Sequence, residues 1–297
     1  AGDALKLCIR TLNPGARGVG LEDPGYPPLR DVVKGLGLRH RYLAMDKHGA
    51  VAPAVRNPNS GPGLVVLTPS SQFPLGGAMP PGRRSEFIEW AARTGNWIIE
   101  DDYDSEFRYA GRPIPAMSGL DPQHRTLYIG SFSKVFSNGL RLGFMVLPNR
   151  LIPEFAASLA RTGSNACVVP QRPLALFLEQ GEYYRHIRRV RRIYAERRAM
   201  LIDLLNTHLA DRVRFRDHRA GMQLAVSFPG IASDTALARE AGEQSVACLP
   251  LSSYHAAKTV QQGLLLGFCS FTEEEMSTAM AVLKKVVDRY YRGNSNT

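Results

Sequence analysis

The sequence predicts an α/β fold with a mostly parallel central sheet, helices on both faces and a smaller C-terminal α+β region. Three observations carry this. In the first half, short apolar, β-rich runs alternate with helix-length stretches, the pattern of strand–helix crossovers. Around Pro170 the alternation stops, and 173–209 reads as almost continuous helix. From Val213 onward, shorter strands and helices return in α+β order.

The elements follow in turn. Strands are predicted at 19–21, 41–43, 64–67, 97–99, 126–129 and 142–147, with helices at 28–35 and 83–94 and a short turn near 115–119. In the helical stretch, Ile187, Val190, Tyr194, Leu201, Leu204 and Leu205 recur at spacings of three, four and seven, which makes one apolar stripe. Arg188, Arg189, Arg191, Arg192, Arg197 and Arg198 fall mostly on the other faces, either as a solvated basic surface or as one facing an anion or DNA. Beyond it, 223–228 and 264–268 read as strands, and 235–242 and 272–291 as helices. Thr272 and Glu275 are spaced for a capping box at the start of the last helix. The expected organisation is a large domain over 1–170, a connecting helical region over 171–210 and a small domain over 211–297.

Composition narrows the function classes. With 297 residues, 44% hydrophobic and 22% charged, the chain has the profile of a well-packed globular protein. No apolar run is long enough to cross a membrane, and the first residues have no basic segment leading into an apolar stretch, so neither a transmembrane helix nor a secretory signal is expected. Cys8, Cys167, Cys248 and Cys269 lie far apart with no paired spacing; free buried thiols and a cytoplasmic location are expected, and a structural zinc site is not. The net charge of +10 rests on 30 Arg and 7 Lys. It suits a nucleic acid or an anionic ligand, or simply a charged surface.

In open α/β sheets, ligands bind beyond the carboxyl ends of the strands. Four predicted strand ends carry unusual polar segments: Glu22-Asp23-Pro24-Gly25-Tyr26, the run Thr68 to Gly76, the run Glu100 to Phe107, and Gly130-Ser131-Phe132-Ser133-Lys134. The last continues through Asn138-Gly139-Leu140-Arg141-Leu142-Gly143. Hydroxyls with a bidentate cation are what a phosphate requires. Since Arg141 already supplies charge, Lys134 is free to act as a nucleophilic amine, given a partly desolvated cationic setting. An acid at Asp101 or Asp102 would keep a pyridine ring protonated and electron-withdrawing, and the residues alone do not choose between the two. Tyr103 could hydrogen-bond a phenolic oxygen on such a ring. A solvated acidic loop is the plainer alternative for this cluster.

These motifs resemble the cofactor-lysine segment of fold-type-I aminotransferases, which use pyridoxal 5′-phosphate. The finer resemblance is to the aminotransferase-like effector domain of MocR-type bacterial transcription regulators of the GntR superfamily. It spans nearly the whole chain and includes Gly181-Glu182-Tyr183-Tyr184-Arg185-His186-Ile187-Arg188-Arg189. It implies that Lys134 forms the Schiff base (the internal aldimine) with the cofactor aldehyde, that Asp101 pairs with the ring nitrogen and that Tyr103 contacts the ring hydroxyl oxygen. It also implies that Tyr26 stacks near the ring, and that Ser131, Ser133, Arg141 and the backbone near Gly2 hold the phosphate. Head-to-tail homodimers are implied too, as are an amino-compound effector and DNA contact through a winged helix-turn-helix domain that these residues do not include.

Two departures bear on activity. Phe73 stands where such aminotransferases often carry an asparagine, and Ser270 stands where a carboxylate-binding arginine is expected. Without that clamp a substrate amino acid loses orientation. The favoured expectation is therefore an effector sensor with at most residual transaminase activity. The alternative is an active class I/II aminotransferase. A nucleic-acid-binding module in its own right is disfavoured, since no aromatic-interleaved basic motif is visible.

Overall fold

The computed structural model describes residues 1–54, 61–163, 166–256 and 261–293. It divides into two compact units. The first comprises Ala1–Phe73, Gly77–Glu106 and Gly111–Ile187; the second comprises Pro74–Gly76, Phe107–Ala110 and Arg188–Thr297.

In the first unit the elements run α1 (Gly2–Leu12), β1 (Val19–Leu21), α2 (Pro27–Gly35), β2 (His40–Tyr42), β3 (Met45–Asp46), β4 (Gly49–Ala50), β5 (Leu64–Leu67), α3 (Pro81–Thr94), β6 (Trp97–Asp102), α4 (Met117–Leu120), β7 (Thr126–Ser131), β8 (Gly143–Val146), α5 (Ile152–Thr162), α6 (Gln171–Glu179) and the start of α7 (Glu182–Leu209). Six strands form one sheet in the order β2-β1-β5-β6-β7-β8. All neighbours are parallel except β8, which runs antiparallel to β7.

The apolar runs are continuous because the sheet is covered on both faces. Leu64 and Val66 join Ile99, Leu127 and Ile129 against Leu5, Ile9, Val33 and Phe155 of α1, α2 and α5. The alternate residues Val65, Leu67 and Ile98 pack on Phe87, Trp90 and Met117 of α3 and α4. Residues with period two thus serve opposite cores, as strand geometry requires.

The second unit holds the rest of α7, β9 (Arg214–Phe215), β10 (Gln223–Ser227), α8 (Asp234–Glu243), β11 (Leu249–Pro250), β12 (Gly263–Gly267) and α9 (Glu273–Gly293). Its sheet has the order β11-β12-β10-β9 and is antiparallel throughout. Leu201, Leu205, Val226, Leu264, Met280 and Leu283 belong to its core. The capping box at α9 forms as expected. Thr272 N–H donates to Glu275 Oε2 at 2.7 Å, and Glu275 N–H donates to Thr272 Oγ1 at 3.3 Å.

Several expectations are corrected. The long helical stretch is two helices, α6 and α7, separated at Gln180–Gly181, where Gly181 takes a positive φ of 72°. Arg198 is not solvated: it is 7% exposed and ion-pairs with Asp217. Arg188, Arg189 and Arg192 are exposed as expected. The strand at 97–99 extends to Asp102, because the backbone of the acidic residues continues the parallel ladder onto β7. All four cysteines are free, but only Cys8 and Cys269 are buried and Cys167 is exposed. Among the described residues, no helix is long and apolar enough to cross a membrane.

Candidate functional site

The sheet order reverses between β1 and β5: the chain passes from β1 outward to β2, then returns to place β5 on the other side of β1. The crevice at such a switch point is the expected ligand site of an open α/β sheet. A cleft lies there, lined by Glu22, Gly25, Tyr26, Arg30, Thr68 and Asp101.

The pleat of β6 separates its two aspartates. Asp102 is fully engaged: Tyr128 O–H donates to its Oδ2 at 2.7 Å and Ser105 N–H to its Oδ1 at 3.1 Å. Asp101 is 8% exposed, lines the cleft, and its buried Oδ1 has no hydrogen-bond partner. A carboxylate stripped of water in this way is strained toward protonation; burial, reinforced by Asp102, pushes Asp101 up to about 7. Glu100, the third acid of the strand, has a structural role. It is fully buried against Arg84 at 3.5 Å and accepts from the backbone N–H groups of Met117 and Ser118.

Three aromatic rings stand beside the cleft. Tyr26 precedes α2 and meets Phe73 edge-on with centroids 5.7 Å apart; Phe73 in turn meets Tyr103 at 5.9 Å. Tyr103 O–H donates to the Ser71 carbonyl at 2.9 Å, and burial raises its hydroxyl well above the usual phenol range. Phe73, read from sequence as the loss of an asparagine, is the middle member of this row.

The anion-binding candidates converge at the end of β7. Gly2 opens α1, an eleven-residue helix, and a side chain built on Gly2 would meet nothing within 4 Å. Asp3 lies 3.9 Å from the Arg141 guanidinium, with both side chains exposed. Ser131 is buried at the end of β7, beside Gly143 of β8, and its Oγ accepts from Ser133 N–H at 3.2 Å. The backbone at Gly143 also abuts that of residue 1: a Cβ added there would come within 3.3 Å of the Ala1 nitrogen. A helix N-terminus, a guanidinium and hydroxyls at one place are the groups that an anion site uses. Arg141 itself has a φ of 51°, so the turn presenting it is one that favours glycine or asparagine.

Lys134 sits in the turn after β7 and is exposed. The partial desolvation expected of it is therefore not provided by the residues described here. Its turn is nonetheless fixed. Phe136 N–H donates to the Phe132 carbonyl, the Phe136 ring stacks on His186 at 5.1 Å, and the His186 ring nitrogen lies 2.9 Å from the Val135 carbonyl oxygen. Nearby Asp104 is buried with Oδ1 unpartnered; burial raises its carboxyl far above the ordinary range, and Lys134 opposes that shift. Sequence reasoning missed Glu22, Asp104 and His186 as contributors. All three lie inside quoted motifs, but spacing does not reveal which acids are buried without partners or which ring His186 stacks on.

No family model matches the chain. Individual relatives do. The probable rhizopine catabolism regulatory protein MocR of Rhizobium meliloti is 36% identical over 89% of this chain and 53% of its own length. The HTH-type pyridoxine biosynthesis transcriptional regulator PdxR of Corynebacterium glutamicum is 31% identical over 97% of the chain and 61% of its length. The chain thus spans little more than half of these relatives. Among solved structures, the kynurenine aminotransferase of Pyrococcus horikoshii, solved with PMP, superposes with a TM-score of 0.87 at 23% identity, covering 97% of this chain and 73% of that one. The α-aminoadipate aminotransferase LysN of Thermus thermophilus gives 0.85 at 22%, over 98% and 74%. The fold is that of the fold-type-I aminotransferases, and the sequence relationship, carried along nearly the whole chain, is to the aminotransferase-like region of MocR- and PdxR-type regulators.

Proposed function

We propose that the chain is a pyridoxal 5′-phosphate-binding, effector-sensing domain of a bacterial transcription regulator. The observation that carries this reading is the buried, unpartnered Oδ1 of Asp101 at the switch point. A buried acceptor without a donor costs about 1–3 kcal/mol, and a protonated ring nitrogen is the donor that would satisfy it. The residues fit the group. Asp101 would hold the ring nitrogen, Tyr103 the ring oxygen side, Tyr26 the ring face, and Ser131, Ser133, Arg141 and the α1 N-terminus at Gly2 the phosphate. Lys134 would supply the amine for covalent attachment. When bound, the cofactor supplies an electron-withdrawing ring and an aldehyde that condenses with amines. We assign 1–170 to cofactor binding, with 171–210 connecting to the small domain over 211–297.

In this reading an amino compound, or the cofactor itself, is the effector, and its binding shifts the balance between two conformations. The relatives named as HTH-type regulators support DNA contact through a separate domain; a head-to-tail homodimer and a cytoplasmic setting belong to the same proposal. The aminotransferase neighbours support a second reading, an active aminotransferase. Incubating the loaded chain with amino donors and a keto acid separates the two. The sensor reading expects a single exchange at most, and sustained turnover overturns it in favour of the enzyme.

A further inference from the structure

Glu22 follows β1 directly and is 7% exposed. One of its oxygens does two jobs: Oε2 accepts from Thr68 Oγ1–H at 2.6 Å and from Thr68 N–H at 3.2 Å. The Thr68 hydroxyl passes the connection on, because its oxygen accepts from Phe73 N–H at 3.2 Å. Gln72 closes the same segment, donating to the Pro24 carbonyl at 2.9 Å and to the Phe73 carbonyl at 2.7 Å. Phe73 is the ring that stands between Tyr26 and Tyr103. A continuous set of short bonds therefore runs from Glu22 to the aromatic wall of the cleft. The other oxygen, Oε1, is buried without a partner, and the residue lines the cleft with Asp101.

We propose that Glu22 is a positioning residue for this site, fixing the 68–73 segment and, through Phe73, the aromatic wall against which the cleft's ligand lies. The proposal deepens the cofactor reading above, while its first test needs no cofactor. Burial pushes the Glu22 carboxyl up to about 7, against the opposing bonds from Thr68 and the Gln72 side chain and with Asp101 adding to the rise. Asp101 on β6, Tyr103 beyond it and Arg30 on α2 are the charged or titratable groups that share its surroundings. Glutamine is the close substitute for Glu22, because its side-chain carbonyl oxygen can accept the same two bonds from Thr68.

The test compares Glu22→Gln, Glu22→Ala and Thr68→Val in the cofactor-free chain by amide hydrogen exchange at residues 68–73. Glu22→Ala and Thr68→Val are expected to speed exchange at the Phe73 amide about tenfold relative to exchange in β6, the loss of one hydrogen bond's protection. Glu22→Gln is expected to restore the native rate. A second readout is the induced circular dichroism of saturating pyridoxal 5′-phosphate, which reports ring orientation. It should fall by more than half in the alanine and valine variants and recover in Glu22→Gln. Native exchange in Glu22→Ala, or a glutamine variant as fast as alanine, overturns the proposal. Exchange that behaves as expected while no variant, and not even the native chain, takes up the cofactor overturns the cofactor reading instead and leaves the positioning role standing.

Discussion

Asp101 in the first unit and Asp234 in the second are both hidden from solvent, at 8% and 0% exposure, yet they are served very differently. Asp234 accepts from Ser252 N–H at 2.9 Å, Ser252 Oγ–H at 2.5 Å and Gly263 N–H at 3.0 Å. Its burial ties α8 to the segments around β11 and β12. Asp101 keeps Oδ1 with no donor among the described residues. Buried polar groups are satisfied in most folded proteins, so an acceptor left open is the feature on which the cofactor reading rests. The same contrast runs within β6, where Glu100 and Asp102 are saturated and Asp101 between them is not.

Substitutions can break or sharpen this comparison. The largest effect is expected at the amine. Lys134→Ala should abolish the visible absorption of the cofactor-loaded chain while leaving far-ultraviolet circular dichroism unchanged, because Lys134 is exposed and its removal costs little packing. Next, Asp101→Asn should lower cofactor affinity about hundredfold, the loss of one charge-assisted hydrogen bond, measured by fluorescence titration. Arg141→Ala should weaken retention roughly ten- to hundredfold by the same arithmetic. It should alter stability by less than about 0.5 kcal/mol, since its contact with Asp3 is an exposed pair.

Stability reverses the ranking of the two aspartates. Asp234→Asn turns an acceptor toward backbone donors into a donor and should cost about 3 kcal/mol in denaturant unfolding. Asp101→Asn in the cofactor-free chain should be neutral or stabilising. The smallest effect is in the pH dependence. Asp101 rises from 3.8 to about 7 on folding, so the folded chain holds a proton that the unfolded chain has released between those values. That contribution is complete below about pH 4 and is lost as pH rises through 7. Asp101→Asn should therefore flatten the fall in cofactor-free stability between pH 5 and 8 by about 1 kcal/mol or more.

Much of this architecture is legible in the sequence, because the strands of the parallel sheet are short unbroken apolar runs such as Leu64–Leu67 and the crossover α3 shows helix-length patterning. The four polar strand ends are legible for the same reason: they interrupt those runs at one structural level. What the sequence hides is partnership. Glu22 finds Thr68 across 46 residues, and Arg198 finds Asp217 across 19, so one acid becomes an anchor and one arginine leaves the solvent. The choice between Asp101 and Asp102 likewise turns on Tyr128, a residue 26 positions beyond Asp102 that spacing alone does not connect to it. Polar residues that extend a strand, as at the end of β6, are also invisible to hydrophobic patterning because their support comes from the neighbouring ladder.

The most direct test of the central claim is to saturate the chain with pyridoxal 5′-phosphate, reduce it with borohydride and map the modified peptide by mass spectrometry. One adduct per chain on Lys134, out of the seven lysines present, is the predicted result. An adduct on another lysine at equal yield, or none at saturation, contradicts it.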